Sequence, residues 1–175
     1  MRRIWWRTAL KVSRLFFVAF ILALFCQQQL ITSYRIAGNS MAPSYWDGDR
    51  VVVAHTLPLL SEPENGDAVI VRVDGETLIK RVAAGPGQIV EIRSGHLVRN
   101  GEAVSEPIPS AYLHAGDMPP CPLGGDEFFL LGDHRRVSVD SRDFGPVRRD
   151  QIIGRVLFRV ESGSARTAAA SSLAP

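Results

Sequence analysis

The chain has 175 residues, 46% hydrophobic and 22% charged, the composition of a folded chain long enough for one domain with a real core. Its net charge of +2 conceals an asymmetry: residues 1–35 carry six basic residues and no acid, and the remainder carries 14 basic against 18 acidic residues. A basic end before an apolar run reads as membrane topology, and the acidic remainder, lacking a basic stripe or stacking aromatics, argues against a nucleic-acid partner.

Residues 15–25 are uninterruptedly apolar, and Cys26 extends the run to 12. Continuing past Gln27, Gln28 and Gln29 to Ile31 gives 17, close to the ~20 residues of a spanning helix, with Lys11 and Arg14 free to snorkel. Trp5 and Trp6 suit the cytoplasmic interface. A cleaved leader would need small residues after the apolar run, and Phe25, Cys26, Gln27 and Gln28 do not supply them. The reading is therefore a cytoplasmic basic segment (1–14), a transmembrane signal anchor (15–33), an extracytoplasmic β-rich domain (34–160) and a disordered tail (161–175). Ser40 lies nine residues beyond Ile31, so it sits within about 30 Å of the anchor's end. Tyr45 and Trp46, just past it, are placed to dip into the outer leaflet.

After the anchor, short β-type runs alternate with turn dipeptides. Strands are expected at 50–54, 67–72, 77–82, 89–92, 96–99, 127–131 and 152–160, with turns at Asp74-Gly75, Ser94-Gly95 and Asn100-Gly101. Residues 104–125, with five prolines and three glycines, read as a surface loop. Strong helical periodicity is absent, so the domain is expected to be mostly β. Cys26 and Cys121 are too few for a disulfide framework and are not expected to pair. No Cys/His cluster has metal-ligand spacing, and no metal or cofactor is expected.

Three stretches carry chemistry. Gly38-Asn39-Ser40-Met41-Ala42-Pro43-Ser44 offers a serine in a turn near the anchor. Lys80 sits mid-strand, and alternation sends Leu78, Lys80 and Val82 to one face and Ile79 and Arg81 to the other. A lysine there is either a surface residue or partly buried. Burial would suit a general base, because a lysine must be neutral to take a serine proton, and each pKa unit of depression corresponds to about 1.4 kcal/mol. The third stretch, Gly132-Asp133-His134-Arg135-Arg136-Val137-Ser138-Val139-Asp140-Ser141-Arg142, is dense in charge between two strands: a solvated loop, or a hydrogen-bonded scaffold around a site.

Taken in order, these motifs, with Gly48-Asp49-Arg50, Gly66-Asp67-Ala68, Gly85-Pro86-Gly87 and Gly145-Pro146-Val147, resemble the type I signal peptidases, membrane-anchored serine proteases of bacterial type. The resemblance covers nearly the whole chain. It implies a signal-peptidase/repressor-like β-ribbon domain behind one N-terminal transmembrane helix, in the bacterial cytoplasmic membrane. It implies preproteins bearing signal peptides as substrates, cut after small residues at −1 and −3, with membrane lipid and the export translocon as neighbours. It implies Ser40 as nucleophile, Lys80 as general base, Ser138 as the serine that orients the lysine amine, and Asp140 with Arg142 and Asp133 with Arg81 as bracing pairs. The Ser40 N–H would stabilise the oxyanion. Gly38 stands where many members have a serine hydroxyl, so a second donor has to come from backbone or water. By position, Tyr34, Ile36, Met41, Leu78 and Ile79 are candidates to line two shallow pockets for small side chains, or are ordinary core.

His134 also departs from the family pattern and raises a rival, a Ser40–His134–Asp133 triad, although adjacent Asp133 and His134 are poorly placed to bond in line. Other readings are a specialised conjugation-pilus or organelle inner-membrane peptidase, a self-cleaving repressor relative and a non-catalytic membrane-anchored β module. An anchor occupies the place of a repressor's DNA-binding domain. Intact Ser40 and Lys80 argue against the non-catalytic module.

Overall fold

The computed structural model describes residues 13–14, 16–18, 20–21, 31–55 and 62–160. The described residues between 13 and 21 are helical and exposed, and no helix among the described residues is long and apolar enough to cross a membrane. Most of the expected anchor, and the 161–175 tail, lie outside the described residues.

Two antiparallel sheets make up the domain. The larger has the order β1-β2-β11-β3-β4-β9-β10, and the smaller β7-β6-β5-β8. The strands are β1 (Ile31–Arg35), β2 (Arg50–His55), β3 (Ala68–Val73), β4 (Glu76–Ala84), β5 (Ile89–Arg93), β6 (His96–Arg99), β7 (Glu102–Ala103), β8 (Met118–Pro122), β9 (Glu127–Leu131), β10 (Val147–Arg148) and β11 (Ile152–Val160). Two one-turn helices, α1 (Ser110–Leu113) and α2 (Ser141–Phe144), interrupt them. All seven expected strands are present.

The three turn dipeptides close two-residue hairpins, β3–β4, β5–β6 and β6–β7. Both residues of each have positive φ, from 49° to 85°, the I′-type conformation that matches strand twist and that Asp-Gly and Asn-Gly adopt at low cost. Two expectations need correction. Residues 31–33, assigned to the anchor, belong to β1, which pairs with β2 in the register Ile31↔Ala54 to Arg35↔Arg50. The proline-rich 104–125 stretch is not all loop, for it contains α1 and β8. Pro119, Pro120 and Pro122 are accommodated because β8 is an edge strand, where a missing N–H breaks no interior ladder.

Long β4 links three packing clusters. Ile79 packs with Ile36, Met41, Val51, Val53, Ala68 and Ile70. Leu78 and Val82 pack with Val69, Val71, Phe128 and Leu130. Ala83 and Ala84 join Val90, Ile92, Leu97, Phe129 and Leu131, where the two sheets meet. The face alternation expected around Lys80 is therefore present, and both faces are covered.

In the middle of the larger sheet, a Cβ on Gly154 would lie 2.3 Å from the Ala54 carbonyl oxygen of the paired strand. Gly154→Ala is expected to cost about 1–3 kcal/mol. Thermal unfolding would read this as a Tm lowered by several degrees, and an unchanged Tm would show that β2 and β11 can part freely there.

Candidate active site

The Ser40 turn is held from both sides. Met41 and Ala42 are fully buried, and Met41 is a core member of the Ile36–Val53 cluster. The Gly38 N–H donates to Asp47 Oδ1 at 2.8 Å, and the Asp47 N–H donates to Asn39 Oδ1 at 3.3 Å. The Ser40 carbonyl accepts the His134 N–H at 3.0 Å, which ties the serine turn to the loop after β9. Asp47 thus consumes the Gly38 N–H, whereas the Ser40 N–H donates to nothing among the described residues.

β4 delivers Lys80 to this serine. Lys80 Nζ donates to Ser40 Oγ at 3.0 Å, and the residue is only 3% exposed. Burial pushes its pKa below the usual lysine value, against the pull of Asp140 and aided by the repulsion of Arg142. Of the two readings open for Lys80, the structure has the buried one.

The charged groups form two braces. Arg81 binds Asp133 bidentately, Nε to Oδ1 at 2.7 Å and Nη2 to Oδ2 at 2.6 Å. It also donates to the Gly66 carbonyl and to Ser44 Oγ, and so connects the serine turn, β4 and the β9 loop. Asp140 is fully buried and takes Arg142 Nε at 2.7 Å and Nη2 at 2.9 Å, and the Gly132 N–H at 2.9 Å. Asp140 is also the N-cap of α2, where it accepts the Arg142 N–H. Arg142 in turn donates to the Arg135 and Ser138 carbonyls.

Ser138 differs from the expectation drawn from resemblance. Its hydroxyl is buried and has no hydrogen-bond partner, and the bond of the Lys80 amine goes to Ser40. It lies packed over Gly132, where a Cβ would stand 2.1 Å from Ser138 Oγ and 2.7 Å from the Ser40 carbonyl oxygen. Only a residue without a side chain lets these two backbone segments meet.

The rival triad is not assembled. Both Asp133 oxygens are bound by Arg81, and His134 Nδ1 is buried with no partner. The His134 ring instead meets Tyr112 of α1 edge-on, with centroids 5.0 Å apart. That contact, the Arg135 N–H to the Tyr112 carbonyl, and the Arg135–Glu106 ion pair clasp the motif loop to the 105–113 segment. This clasp was not anticipated, because a glutamate and a tyrosine within a proline-rich stretch give no local signal of a distant partner.

A cleft of about 100 Å³ opens beside Ser40 and Lys80. Tyr34, Ile36, Leu78 and Ile79 line it together with Ser40 and Lys80, as expected, and Ile70, Thr77 and Ala37 add to it. Met41 does not, because it is wholly inside the core. Tyr45 likewise packs against that core, whereas Trp46 is exposed. No metal-binding cluster occurs among the described residues. The arrangement can deliver a serine oxygen, with an amine to take its proton, to the floor of a small apolar cleft.

Lys80→Met would remove a buried amine whose charged form folding disfavours. The unfolded chain binds the extra proton up to pH 10.5, and the folded chain releases it at lower pH, so wild-type stability rises with pH across that window. Lys80→Met is therefore expected to stabilise the fold most below the depressed pKa, by about 1.4 kcal/mol per unit of depression, with the gain vanishing above pH 10.5. Urea unfolding from pH 6 to 11 checks this, and a pH-independent difference would contradict it.

Beyond the geometry, a family model described as "Signal peptidase, peptidase S26" matches residues 9–161. Signal peptidase I T of Bacillus subtilis (strain 168) is 32% identical over 165 residues, covering 86% of this chain and 84% of that protein. Signal peptidase IB of Staphylococcus aureus (strain COL) is 33% identical over 162 residues, covering 81% of this chain and 84% of that protein. A crystal structure of a signal peptidase I from Enterococcus faecalis V583 aligns with 57% of this chain and 99% of its own, at 27% identity and a TM-score of 0.48.

Proposed function

The chain belongs to the signal peptidase family, peptidase S26, and from that premise we propose that it is a signal peptidase I working through a Ser40–Lys80 dyad. It is a serine endopeptidase that cleaves signal peptides from exported preproteins. The observation that carries the mechanism is the 3.0 Å contact between Ser40 Oγ and a buried Lys80 amine whose pKa is depressed.

With the amine neutral, the same contact runs from the Ser40 O–H to the Nζ lone pair. Ser40 Oγ attacks the scissile carbonyl as Lys80 takes the proton, and the resulting ammonium returns it to the leaving amine. The acyl-enzyme is then hydrolysed by water deprotonated by Lys80. The uncommitted Ser40 N–H faces the developing oxyanion. Tyr34, Ile36, Leu78 and Ile79 narrow the cleft, which suits small residues at −1 and −3.

The enzyme is membrane-associated, with its N-terminus in the cytoplasm and the β domain outside. The six basic residues and no acid within residues 1–35 support this orientation. The exposed Trp46, close in sequence to Ser40, supports a working position at the bilayer surface.

Cleavage of a fluorogenic signal peptide by detergent-solubilised protein tests the dyad. Ser40→Ala and Lys80→Ala are each expected to lower kcat by at least about 10³-fold, and His134→Ala to leave it in the wild-type range. kcat/KM should rise with pH along a limb set by Lys80, below the ordinary lysine value. An active Lys80→Ala protein would sink the mechanism. Trp46→Ala is expected to weaken liposome binding of the chain lacking residues 1–30, measured by co-sedimentation, and undiminished binding would refute the surface contact.

A further inference from the structure

A second concavity, of about 220 Å³, is lined by β4, β6, the 104–107 segment and the loop after β9, and it shares no residue with the catalytic cleft. Val82, Leu97, Val104 and Leu131 supply apolar walls, and three arginines, Arg81, Arg99 and Arg135, supply charge. Their partners do not balance. Arg81 is matched by Asp133, and Arg135 by Glu106 through Nη2. Arg99 donates to the Ala83 carbonyl at 2.9 Å, and no carboxylate lies within ion-pair distance of it among the described residues. Three guanidiniums thus meet two carboxylates. Arg135, on the same wall, is only 2% exposed, and its covered Nη1 has no hydrogen-bond partner. A buried N–H group without an acceptor is costly, and native interiors rarely leave one.

We infer that this concavity is an accessory binding site for a short monocarboxylate with an apolar tail. A carboxylate offers the paired acceptors that guanidinium forks engage, and it supplies the one negative charge that the lining lacks. The tail lies against Val82, Leu97 and Leu131. The volume is below the ~300–1,000 Å³ of sites for drug-sized molecules, which limits the ligand to a short acid or the last residue or two of a peptide. The site is wired to the nucleophile's support, since Arg135 Nε donates to the Gly132 carbonyl at 3.1 Å and Arg81 carries Asp133. Because the readout is binding, the site stands or falls independently of the dyad.

The test is thermal unfolding of the full chain in a nonionic detergent, titrated with hexanoate, with hexanol, and with a capped Ala-Leu dipeptide as its free acid and as its amide. Hexanoate is expected to raise Tm saturably and hexanol is not. Arg99→Gln, which removes the unmatched charge and spares the Arg135 and Arg81 ion pairs, is expected to weaken hexanoate binding at least tenfold. A dipeptide acid that binds in the same Arg99-dependent way, while its amide fails, identifies a peptide C-terminus as a source of the carboxylate, and hexanoate binding alone identifies a free acid. Hexanol acting as well as hexanoate, equal binding by wild type and Arg99→Gln, or the absence of any saturable shift overturns the proposal.

Discussion

A primary amine cannot be both buried and fully charged without a large loss of hydration, and the Ser40–Lys80 contact depends on that constraint. Lys80 is almost completely covered, and desolvation is the largest influence on its protonation. Asp140 pulls in the opposite direction and, left alone, would stabilise the ammonium. Arg142 limits this by engaging both Asp140 oxygens and by adding its own repulsion. The buried aspartate can then hold the architecture without recharging Lys80.

Each remaining feature keeps that amine in register with its serine. Two ion pairs with buried carboxylates organise the loop after β9: Arg81 ties Asp133 to β4, and Arg142 holds Asp140 where it accepts the Gly132 N–H. Breaking a pair of this kind strands a charge inside the protein, which is why such contacts restrict geometry even where their net contribution to stability is small. Gly132 lets the β9 loop press against the backbone of the serine turn, and the 105–113 arm closes over the loop from the side of the smaller sheet.

Much of this was legible in the residues. The hairpins could be placed because dipeptides such as Asn100-Gly101 tolerate positive φ and the strands beside them alternate. Ser40, Lys80, Arg81, Asp133, Asp140 and Arg142 could be named because the motifs come in order. Other parts were hidden for physical reasons. Prolines in β8 speak against a strand unless it is known to be an edge. Residues 31–33 are as compatible with a bilayer end as with a strand. Met41 adjoins Ser40 in sequence, but its side chain turns into the core. The partners of Arg135, Tyr112 and Ser138 depend on contacts between distant segments, which no local pattern encodes.

Adjacent Lys80 and Arg81 show what strand alternation makes possible. They are neighbours in the chain and both basic, yet the pleat separates their fates. One loses its proton readily beside a serine, and the other keeps its charge to grip a carboxylate. A guanidinium in the first position would stay protonated at any physiological pH, and an ammonium in the second could not form the fork that holds Asp133. The order of these two letters along one strand therefore carries the division between a discharged amine and a charged brace, and the β3–β4 register that aligns Val69 with Lys80 and Ala68 with Arg81 sets which face each one takes.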